Sequence, residues 1–456
     1  DSDSNNTYLV NVRATDAARN TSDQSLTITI ADVNESSSSS NISSFTSTSW
    51  IQIGSDLFGD KSDDGFGFTG ISLSSDGSIL AVGAATNDDN GTDSGHVQIF
   101  ENVNNSWIQI GSAIAGEAAY DQSGVSVDLS DDGKILAIGA WHNDDSGSNL
   151  PGYEREIYPN GHVRIFENVN NSWVQIGSDI DGEISDKFSG RSVTLSSDGS
   201  FVGIGGQYSE KNRIYKNIDN NWIQVGDDIV GAKTGSSGAT SLSSDGSIFA
   251  VADDNGVDSG KGKVSIFKNL QGLWTQIGSS IVSEKEEDSL LGHSIQLSAD
   301  GSTIAIGVPY NSDNTAGLVR VYKNIQNEWI KIGTDIEGKY DPDEFGMAVS
   351  LSSDGSILAV GAPSDKQDNL YGGSVRIYQY INNSWLQIGE AINGDSTLTN
   401  TGYSVDLSSD GSSVAIGSRA NGVRVYSIDV SSTDTSSNDT SSNDTSSNDT
   451  SSNDTS

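Results

Sequence analysis

The chain of 456 residues contains no cysteine, one methionine, five prolines and 24 basic residues against 63 acidic ones. Without cysteine it has neither a disulfide framework nor a cysteine nucleophile. The formal net charge of −39 argues against nucleic acid and anionic membranes as partners, because both require a basic surface. No apolar run approaches the ~20 residues that span a bilayer, so no transmembrane segment is predicted.

Three regions lie before or after the main body of the chain, and each has its own amino-acid composition. Residues 1–35 contain two stretches of alternating apolar residues, TYLVNVRATD and QSLTITIADV, which predict short β-strands. Residues 36–49 form a serine-rich linker. Residues 429–456 repeat the motif SSNDT and are predicted to be disordered and extended. Because the chain begins with Asp1 and has no signal peptide, we expect it to be a piece of a longer polypeptide.

Residues 50–428 contain an internal repeat whose clearest mark is an Asp-Gly pair after the motif Leu-Ser-x. A period of this size is typical of a solenoid, a propeller or an array. The pairs lie 47 to 66 residues apart and begin at Asp76, Asp132, Asp198, Asp245, Asp300, Asp354 and Asp410.

Each repeat unit predicts four antiparallel strands. In the sixth unit, VSLSSDGSILAVG (349–361) contains two β-rich runs around Asp354-Gly355, a strong hairpin signal since both residues tolerate positive φ. SVRIYQY (374–380) and SWLQIG (384–389) predict two further strands. Four strands without helical periodicity predict an all-β fold, a seven-bladed β-propeller of four-stranded antiparallel blades.

The phase of the repeat predicts how the ring closes. A tryptophan strand, SWIQIG, begins at Ser49 and precedes the first hairpin, whereas the last unit ends at GVRVYS (422–427) with no such strand after it. If the Trp50 strand completes the last blade, seven blades close and no sheet edge is left unpaired. We therefore expect a closed, monomeric propeller.

With these marks, residues 50–428 resemble the FG-GAP repeat propeller, as found in the head of integrin α chains. The residues that carry the resemblance are Phe345-Gly346 and Gly361-Ala362-Pro363, followed by a GVRVY-type strand. The resemblance implies extracellular adhesion. The calcium loop of that family, D-x-D-x-D-G, is shortened here to LSSDGS, so its calcium sites are not transferred to Asp76 or Asp354, which we expect to form turns.

Residues 7–35 resemble the second half of a cadherin repeat. YLVNVRATD matches the Y-x-L-x-V-x-A-x-D part of that repeat, and LTITIADVNE matches its final strand and linker. By this resemblance Asp32, Asn34 and Glu35 are candidate calcium ligands at a domain junction.

The loops between the second and third strands of the blades are rich in Asp, Asn and Gly. Carboxylate and amide oxygens are the ligands that calcium takes, so calcium is the candidate cofactor. The alternative is that these residues form turns and keep the protein soluble. Candidate metal ligands in these loops are Asp88, Asp89, Asp93, Asp253, Asp254 and Asp258.

Trp141 departs from the repeat. Seven other tryptophans occupy one position in the outer strand and are expected to fill the space between blades, but Trp141 stands where the sixth unit has the proline of GAP. Together with Asp144 and Asp145 in the loop that follows, it is a candidate ligand-binding residue.

No catalytic pattern is present. His96 and His162 occupy the same place in consecutive units and are interpreted as strand-start residues, and there is no H-E-x-x-H, G-x-S-x-G or P-loop motif. We expect no enzyme. We expect an extracellular or cell-surface module that binds a protein or glycan on a cell or matrix surface. The alternatives are a carbohydrate-binding or polysaccharide-processing module and a passive scaffold within a larger exported protein.

Overall fold

The structure is a computed structural model of the chain, which divides into two compact units, Asp1–Ser47 and Thr48–Ser456. The predicted tail and all but the last residue of the predicted linker lie outside the described residues. The described residues are 7–15, 21–29, 49–143, 159–183, 186–209, 211–230, 234–235, 237–254, 262–283, 290–310, 316–340, 342–366, 372–395, 400–420 and 422–428.

The described residues of the first unit form one antiparallel pair of strands. Its strands are β1 (Thr7–Thr15) and β2 (Thr21–Thr29), with Thr7 opposite Thr29 and Thr15 opposite Thr21. β1 covers nearly all of TYLVNVRATD, and β2 overlaps the first six residues of QSLTITIADV. The candidate ligands Asp32, Asn34 and Glu35 lie outside the described residues.

The second unit is a ring of seven antiparallel blades, so the predicted all-β propeller is confirmed. The described part of the chain contains no helix that could cross a membrane. Blade 1 consists of β5 (Phe66–Leu73), β6 (Ile79–Ala84), β7 (His96–Asn102), β8 (Trp107–Gln109) and β9 (Ile114–Ala115), and blade 2 of β10 (Ser123–Leu129), β11 (Ile135–Ala140), β12 (His162–Val169), β13 (Ser172–Gln175) and β14 (Ile180–Asp181). Blade 3 consists of β15 (Ser192–Leu195), β16 (Phe201–Gly205), β17 (Lys211–Ile218), β18 (Asn221–Gln224) and β19 (Ile229–Val230), and blade 4 of β20 (Thr240–Leu242), β21 (Ile248–Asp253), β22 (Lys263–Leu270), β23 (Leu273–Gln276) and β24 (Ile281–Val282).

The last three blades repeat this order, and blade 7 takes its outer strand from the start of the unit. Blade 5 consists of β25 (Ile295–Leu297), β26 (Thr303–Val308), β27 (Leu318–Ile325), β28 (Glu328–Lys331) and β29 (Ile336–Glu337), and blade 6 of β30 (Val349–Leu351), β31 (Ile357–Ala362), β32 (Ser374–Ile381), β33 (Ser384–Gln387) and β34 (Ile392–Asn393). Blade 7 consists of β35 (Thr401–Leu407), β36 (Ser413–Ser418), β37 (Gly422–Ile428), β3 (Trp50–Gln52) and β4 (Leu57–Phe58).

The outer strand of every blade is broken into two segments that pair with the same third strand. In blade 1, Trp107 pairs with Asn102 near one end of β7, and Ile114 pairs with Val97 near the other end. Gly111 lies at the break with φ +74°, a conformation that glycine adopts without strain. Because of the break, each short outer segment can follow the strong twist of the sheet at the outer edge of the blade.

The Asp-Gly pairs form the turns between the first two strands, as expected. The carboxylate of Asp76 accepts hydrogen bonds from the Ser74 hydroxyl (2.8 Å) and the Ser78 amide (2.9 Å). Partial burial acts to raise the pKa of Asp76, but hydrogen bonds from Ser78 and Ser74 outweigh it and hold the pKa below its ordinary value. These carboxylates are therefore occupied within the turn.

Beside these turns, backbone hydrogen bonds form a closed ring around the axis. One residue from each blade donates its N–H to the carbonyl of the next blade, at 2.9–3.0 Å, and the last donates back to the first. Such a ring is complete only if all seven blades are present and in register. In order, its members are Ser75, Asp131, Ser197, Ser244, Ala299, Ser353 and Ser409.

The apolar cores lie between blades. Seven clusters of buried side chains each combine residues from two neighbouring blades, including one that joins Phe66 of blade 1 to Val423 of blade 7. Each outer-strand tryptophan packs against one cluster, and its indole N–H donates to a backbone carbonyl of the preceding blade at 2.8–3.3 Å. These tryptophans therefore join blades, as expected.

The Trp50 strand closes the ring. Trp50 lies opposite Ile428 and Gln52 opposite Tyr426, so β3 is the outer strand of blade 7. The Trp50 indole donates to the Ile388 carbonyl of blade 6 at 3.2 Å. Residues more than 300 positions apart in sequence thus complete one sheet.

We predict that Trp50→Ala lowers the free energy of unfolding by about 2 kcal/mol, because it removes a half-buried indole and its hydrogen bond from the closing blade. Thermal unfolding of the full chain measures this. Trp385→Ala, at the equivalent position of blade 6, should cause a similar loss. A normal melting temperature for Trp50→Ala beside a destabilised Trp385→Ala would contradict closure by β3.

Candidate functional site

The loops after each second strand and the connections between blades meet on one side of the ring, here called the loop face. In blade 1, the Gly116 amide donates to the Gly95 carbonyl at 2.8 Å, and the Ser123 amide donates to the Ser94 carbonyl at 3.0 Å. The loop of one blade is thus held against the connection to the next. Side chains from two blades can therefore contribute to one site.

Asp88, Asp89 and Asp93 lie in the loop between β6 and β7. The Asp88 carboxylate accepts a hydrogen bond from the Asp93 amide at 2.8 Å, and the Asn87 side chain accepts one from the Asp89 amide at 2.9 Å. Asp88 thus shapes the turn. The carboxylates of Asp88, Asp89 and Asp93 do not come within 4.8 Å of one another as a group of three.

Asp253 and Asp254 lie at the end of β21 and are buried, with exposed fractions of 4% and 0%. Asp254 Oδ2 lies 3.4 Å from Nδ1 of His293 in the next blade. Both carboxylates are therefore buried and not part of an exposed loop, and Asp254 lies at a blade junction. Asp258, Asp144 and Asp145 lie outside the described residues.

Asp89 joins a different group of side chains from the one expected. A carboxylate oxygen of Asp60, one of Asp89 and a ring nitrogen of His96 lie within 4.8 Å of one another. Asp60 comes from the connection between blades 7 and 1. The equivalent place in blade 2 holds a second such group, formed by Glu117, His162 and Asp179.

The two histidines are correctly interpreted as strand-start residues, but that position also faces the acidic loops. His96 and His162 begin β7 and β12 and are almost fully buried, with exposed fractions of 2% and 1%. Burial and, secondarily, the charge of Arg164 together lower the pKa of His162 to about 4. The sequence signal that could have revealed them is the Gly-His pair that follows an Asp-rich loop.

Trp141 belongs to an aromatic cluster on the loop face. Its ring centroid lies 4.5 Å from that of His142 and 5.3 Å from that of Phe188, and the Arg191 guanidinium lies 5.0 Å from the Trp141 ring. The indole N–H donates to Gln122 Oε1 at 2.6 Å. All three rings are partly exposed, so the cluster presents aromatic surface beside a cation.

Arg191 connects this cluster to the axis of the ring. A cavity of about 280 Å³ is lined by the first residues of the inner strands and the connections before them, among them Arg191, His293, Met347 and Tyr403. Arg191 Nε is buried and has no hydrogen-bond partner among the described residues. Burial lowers the pKa of Arg191, and Asp254 partly opposes that effect. This side chain can bind an oxygen atom of a ligand that enters the cavity.

Asp128 and Asp406, together with the exposed Asp131, line a second cavity of about 280 Å³ at the end of the channel near the Asp-Gly turns. Asp128 accepts a hydrogen bond from the Leu195 amide at 2.6 Å, and Asp406 accepts one from the Leu73 amide at 2.7 Å. Burial raises the pKa of Asp128 to about 7, to which the charge of Asp406 contributes, and burial raises the pKa of Asp406 to about 6. Both carboxylates bridge adjacent blades.

The described loop face thus combines aromatic surface, buried guanidinium groups and clustered carboxylates. A scan against protein-family models finds no family that matches the chain, and a search of curated proteins finds none similar to it. Function is therefore inferred from the site itself.

We predict that Asp128→Asn stabilises the protein at pH 8 and has little effect at pH 4. The folded pKa is raised, so Asp128 favours folding below about pH 4 and loses that contribution as pH rises through about 7. One unit of pKa is worth about 1.4 kcal/mol, and since the carboxylate faces a channel that admits water, we expect a net gain of about 2 kcal/mol at pH 8.

Denaturant unfolding from pH 4 to pH 8 measures this difference between variant and parent. Asp131→Asn is the matched control, because that carboxylate is exposed near the same turn. A gain for Asp128→Asn that is the same at every pH would contradict a raised pKa.

Proposed function

We propose that the propeller is a non-enzymatic recognition module that binds a protein or glycan on a cell or matrix surface through its loop face, outside the cell. The observation that carries the proposal is the cluster of Trp141, His142, Phe188 and Arg191 at the mouth of the axial cavity. The cluster lies at a place where the sequence departs from the repeat, since the sixth blade has Pro363 at the position of Trp141.

The chemistry of the cluster suits recognition. Partly exposed aromatic rings and arginine are enriched where proteins bind partners, because they combine large apolar area with directional polar contacts. Trp141 is held by Gln122 and by the two neighbouring rings, so little conformational entropy is lost when a ligand covers it. The net charge of −39 favours neutral or basic ligands, or ligands bridged by cations.

We further propose that the propeller is of the FG-GAP type and that the hairpin of the first unit is cadherin-like. The glycine positions support the first part. A Cβ atom on Gly361 would lie 2.0 Å from the Gly402 carbonyl oxygen, so the glycine of GAP in blade 6 allows close contact with the Gly402 backbone of blade 7. Adhesion modules contain both kinds of domain, which favours the extracellular assignment.

The alternative function is carbohydrate binding or polysaccharide processing. Trp141 could stack on a sugar ring, and carboxyl groups with raised pKa, such as Asp128 and Asp406, are what acid catalysis requires. Their hydrogen bonds to the backbone of neighbouring blades favour a structural role for them. A passive scaffold is the remaining alternative, and it predicts no ligand at the loop face.

We predict that Trp141→Ala reduces binding to the surface ligand at least tenfold, because it removes the centre of the aromatic cluster. The labelled full chain is applied to a glycan array and to cultured cells with intact matrix. Tyr340→Ala is the matched control, since Tyr340 is an exposed aromatic residue in another blade connection and should tolerate the change.

Glycan binding that depends on Trp141 would favour the carbohydrate alternative. Cell or matrix binding that depends on Trp141 without glycan binding would favour a protein ligand. Equal binding by parent and Trp141→Ala would contradict the cluster as the recognition site, and no binding by either would favour the scaffold.

Calcium remains the predicted cofactor of the acidic loops, and it makes a separate prediction. Calcium at ~100 times its dissociation constant should add about 2.7 kcal/mol to the free energy of unfolding. Thermal unfolding in EDTA and in millimolar calcium measures the shift, which Asp88→Asn combined with Asp93→Asn should abolish. If calcium causes no shift, these aspartates serve as turn formers and solubilising charge.

A further inference from the structure

One position on the third strand of the blades forms a row of buried arginines. It is the third residue of the strand, and in five of seven blades the arginine lies beside carboxylates of the loop face. Arg213 contacts Asp186 and Asp228, Arg376 contacts Asp365, and Arg424 contacts Asp56 and Asp395. The residues at this position are Gln98, Arg164, Arg213, Ser265, Arg320, Arg376 and Arg424.

In these blades the guanidinium supplies the positive charge that the local carboxylates require, because clustered carboxylates repel one another when no cation lies between them. Blade 2 gives the closest comparison. There Arg164 Nη1 lies 3.6 Å from Glu117, one of the three side chains around His162. The potential ligands Glu117, His162 and Asp179 thus already have an internal cation beside them.

Blade 1 lacks both this arginine and the outer-strand carboxylate of the blade 2 group, since Ala113 stands where blade 2 has Asp179. Asp60 occupies the place of Glu117, His96 the place of His162, and the neutral, buried Gln98 the place of Arg164. Asp89 approaches from the loop between β6 and β7. The nearby cation is Lys61, whose ammonium lies 3.5 Å from Asp89 with both side chains about half exposed. Such a surface ion pair is weak and easily displaced.

His96 is the second observation that points to a ligand at this place. Its side chain is 2% exposed, and its Nε2 has no hydrogen-bond partner among the described residues. Its Nδ1 faces Asp89 Oδ2 at 3.9 Å, too far for a hydrogen bond. A neutral imidazole carries one ring nitrogen with a lone pair that a metal ion can accept.

We propose that Asp60, Asp89 and His96 bind a divalent first-row metal ion, with zinc as the preferred ion, in the place that arginine fills in other blades. One imidazole nitrogen and two carboxylate oxygens are a zinc donor set that leaves a fourth position for water. Calcium takes six to eight oxygen ligands and has little affinity for imidazole. The site shares Asp89 with one predicted calcium loop but differs from it in its imidazole ligand, and it does not depend on the proposed recognition function.

The geometry permits the site with small movements. The three donor atoms lie within 4.8 Å of one another, whereas ligand atoms about 2.1 Å from a tetrahedral ion lie roughly 3.4 Å apart. Asp60 and Asp89 are both exposed, so their side chains can rotate toward His96 without disturbing the core. The imidazole itself is held by the strand and its packing, which preorganises one ligand.

Zinc binding to the EDTA-treated full chain tests the proposal, by titration calorimetry and by metal analysis after dialysis. We expect one zinc ion per chain, lost in His96→Gln and in Asp60→Asn combined with Asp89→Asn. His162→Gln is the matched control and should retain binding, since it alters the same position in blade 2. Cobalt substitution should give the visible absorption of a site with nitrogen ligation, which His96→Gln removes.

Two substitutions exchange the residues at the arginine position between blades 1 and 2. Gln98→Arg should weaken zinc binding at least tenfold while leaving the fold intact, because the guanidinium takes the place of the ion. Arg164→Gln should raise the stoichiometry from one zinc ion to two, through Glu117, His162 and Asp179. Circular dichroism confirms that each variant is folded.

Absence of zinc uptake by the parent chain would overturn the proposal, as would uptake that is equal in parent and His96→Gln. Calcium that binds with higher affinity than zinc and depends on Asp60 would also overturn it, because the donor set would then not include the imidazole.

Discussion

The propeller depends on one constraint: each blade has two apolar faces, and neither can be exposed. Seven apolar clusters between neighbouring blades satisfy that requirement only when the ring is closed. The ring of backbone hydrogen bonds from Ser75 to Ser409 is complete only in the closed ring, near its axis. The same holds, nearer the outer edge, for the seven hydrogen bonds that the outer-strand indoles donate to the preceding blade. Because β3 completes blade 7, closure also joins the two ends of the repeat region.

Closure leaves the loop face free to vary. The turns at Asp76 and its equivalents are constrained by hydrogen bonds within the turn and by the axial ring beside it. The loops on the opposite side connect strands that are already fixed, so substitutions there change chemistry without changing the fold. Trp141, in such a loop, adds an aromatic group, and Gln98, on strand β7 next to the loop face, replaces the arginine found in five other blades.

Carboxylates in this protein have different environments although the sequence presents them alike. Hydrogen bonds from Ser74 and Ser78 lower the pKa of Asp76, whereas burial raises the pKa of Asp128 to about 7. Asp254 is fully buried at a blade junction, and Asp89 is half exposed beside His96. A high count of acidic residues therefore says little about which of them meet a ligand, since neighbours and burial decide that.

The sequence alone determined the number of blades, the strand pattern within them and the role of Trp50, because repeat spacing and alternation of apolar residues are local properties. It also identified Trp141 as a departure from the repeat. Only the tertiary structure showed that Asp60 of one blade connection meets Asp89 and His96 of the next blade, and that Asp253 and Asp254 are buried. Those contacts join residues that are distant in sequence, and they follow from the curvature of the ring and the packing of each loop against the neighbouring connection.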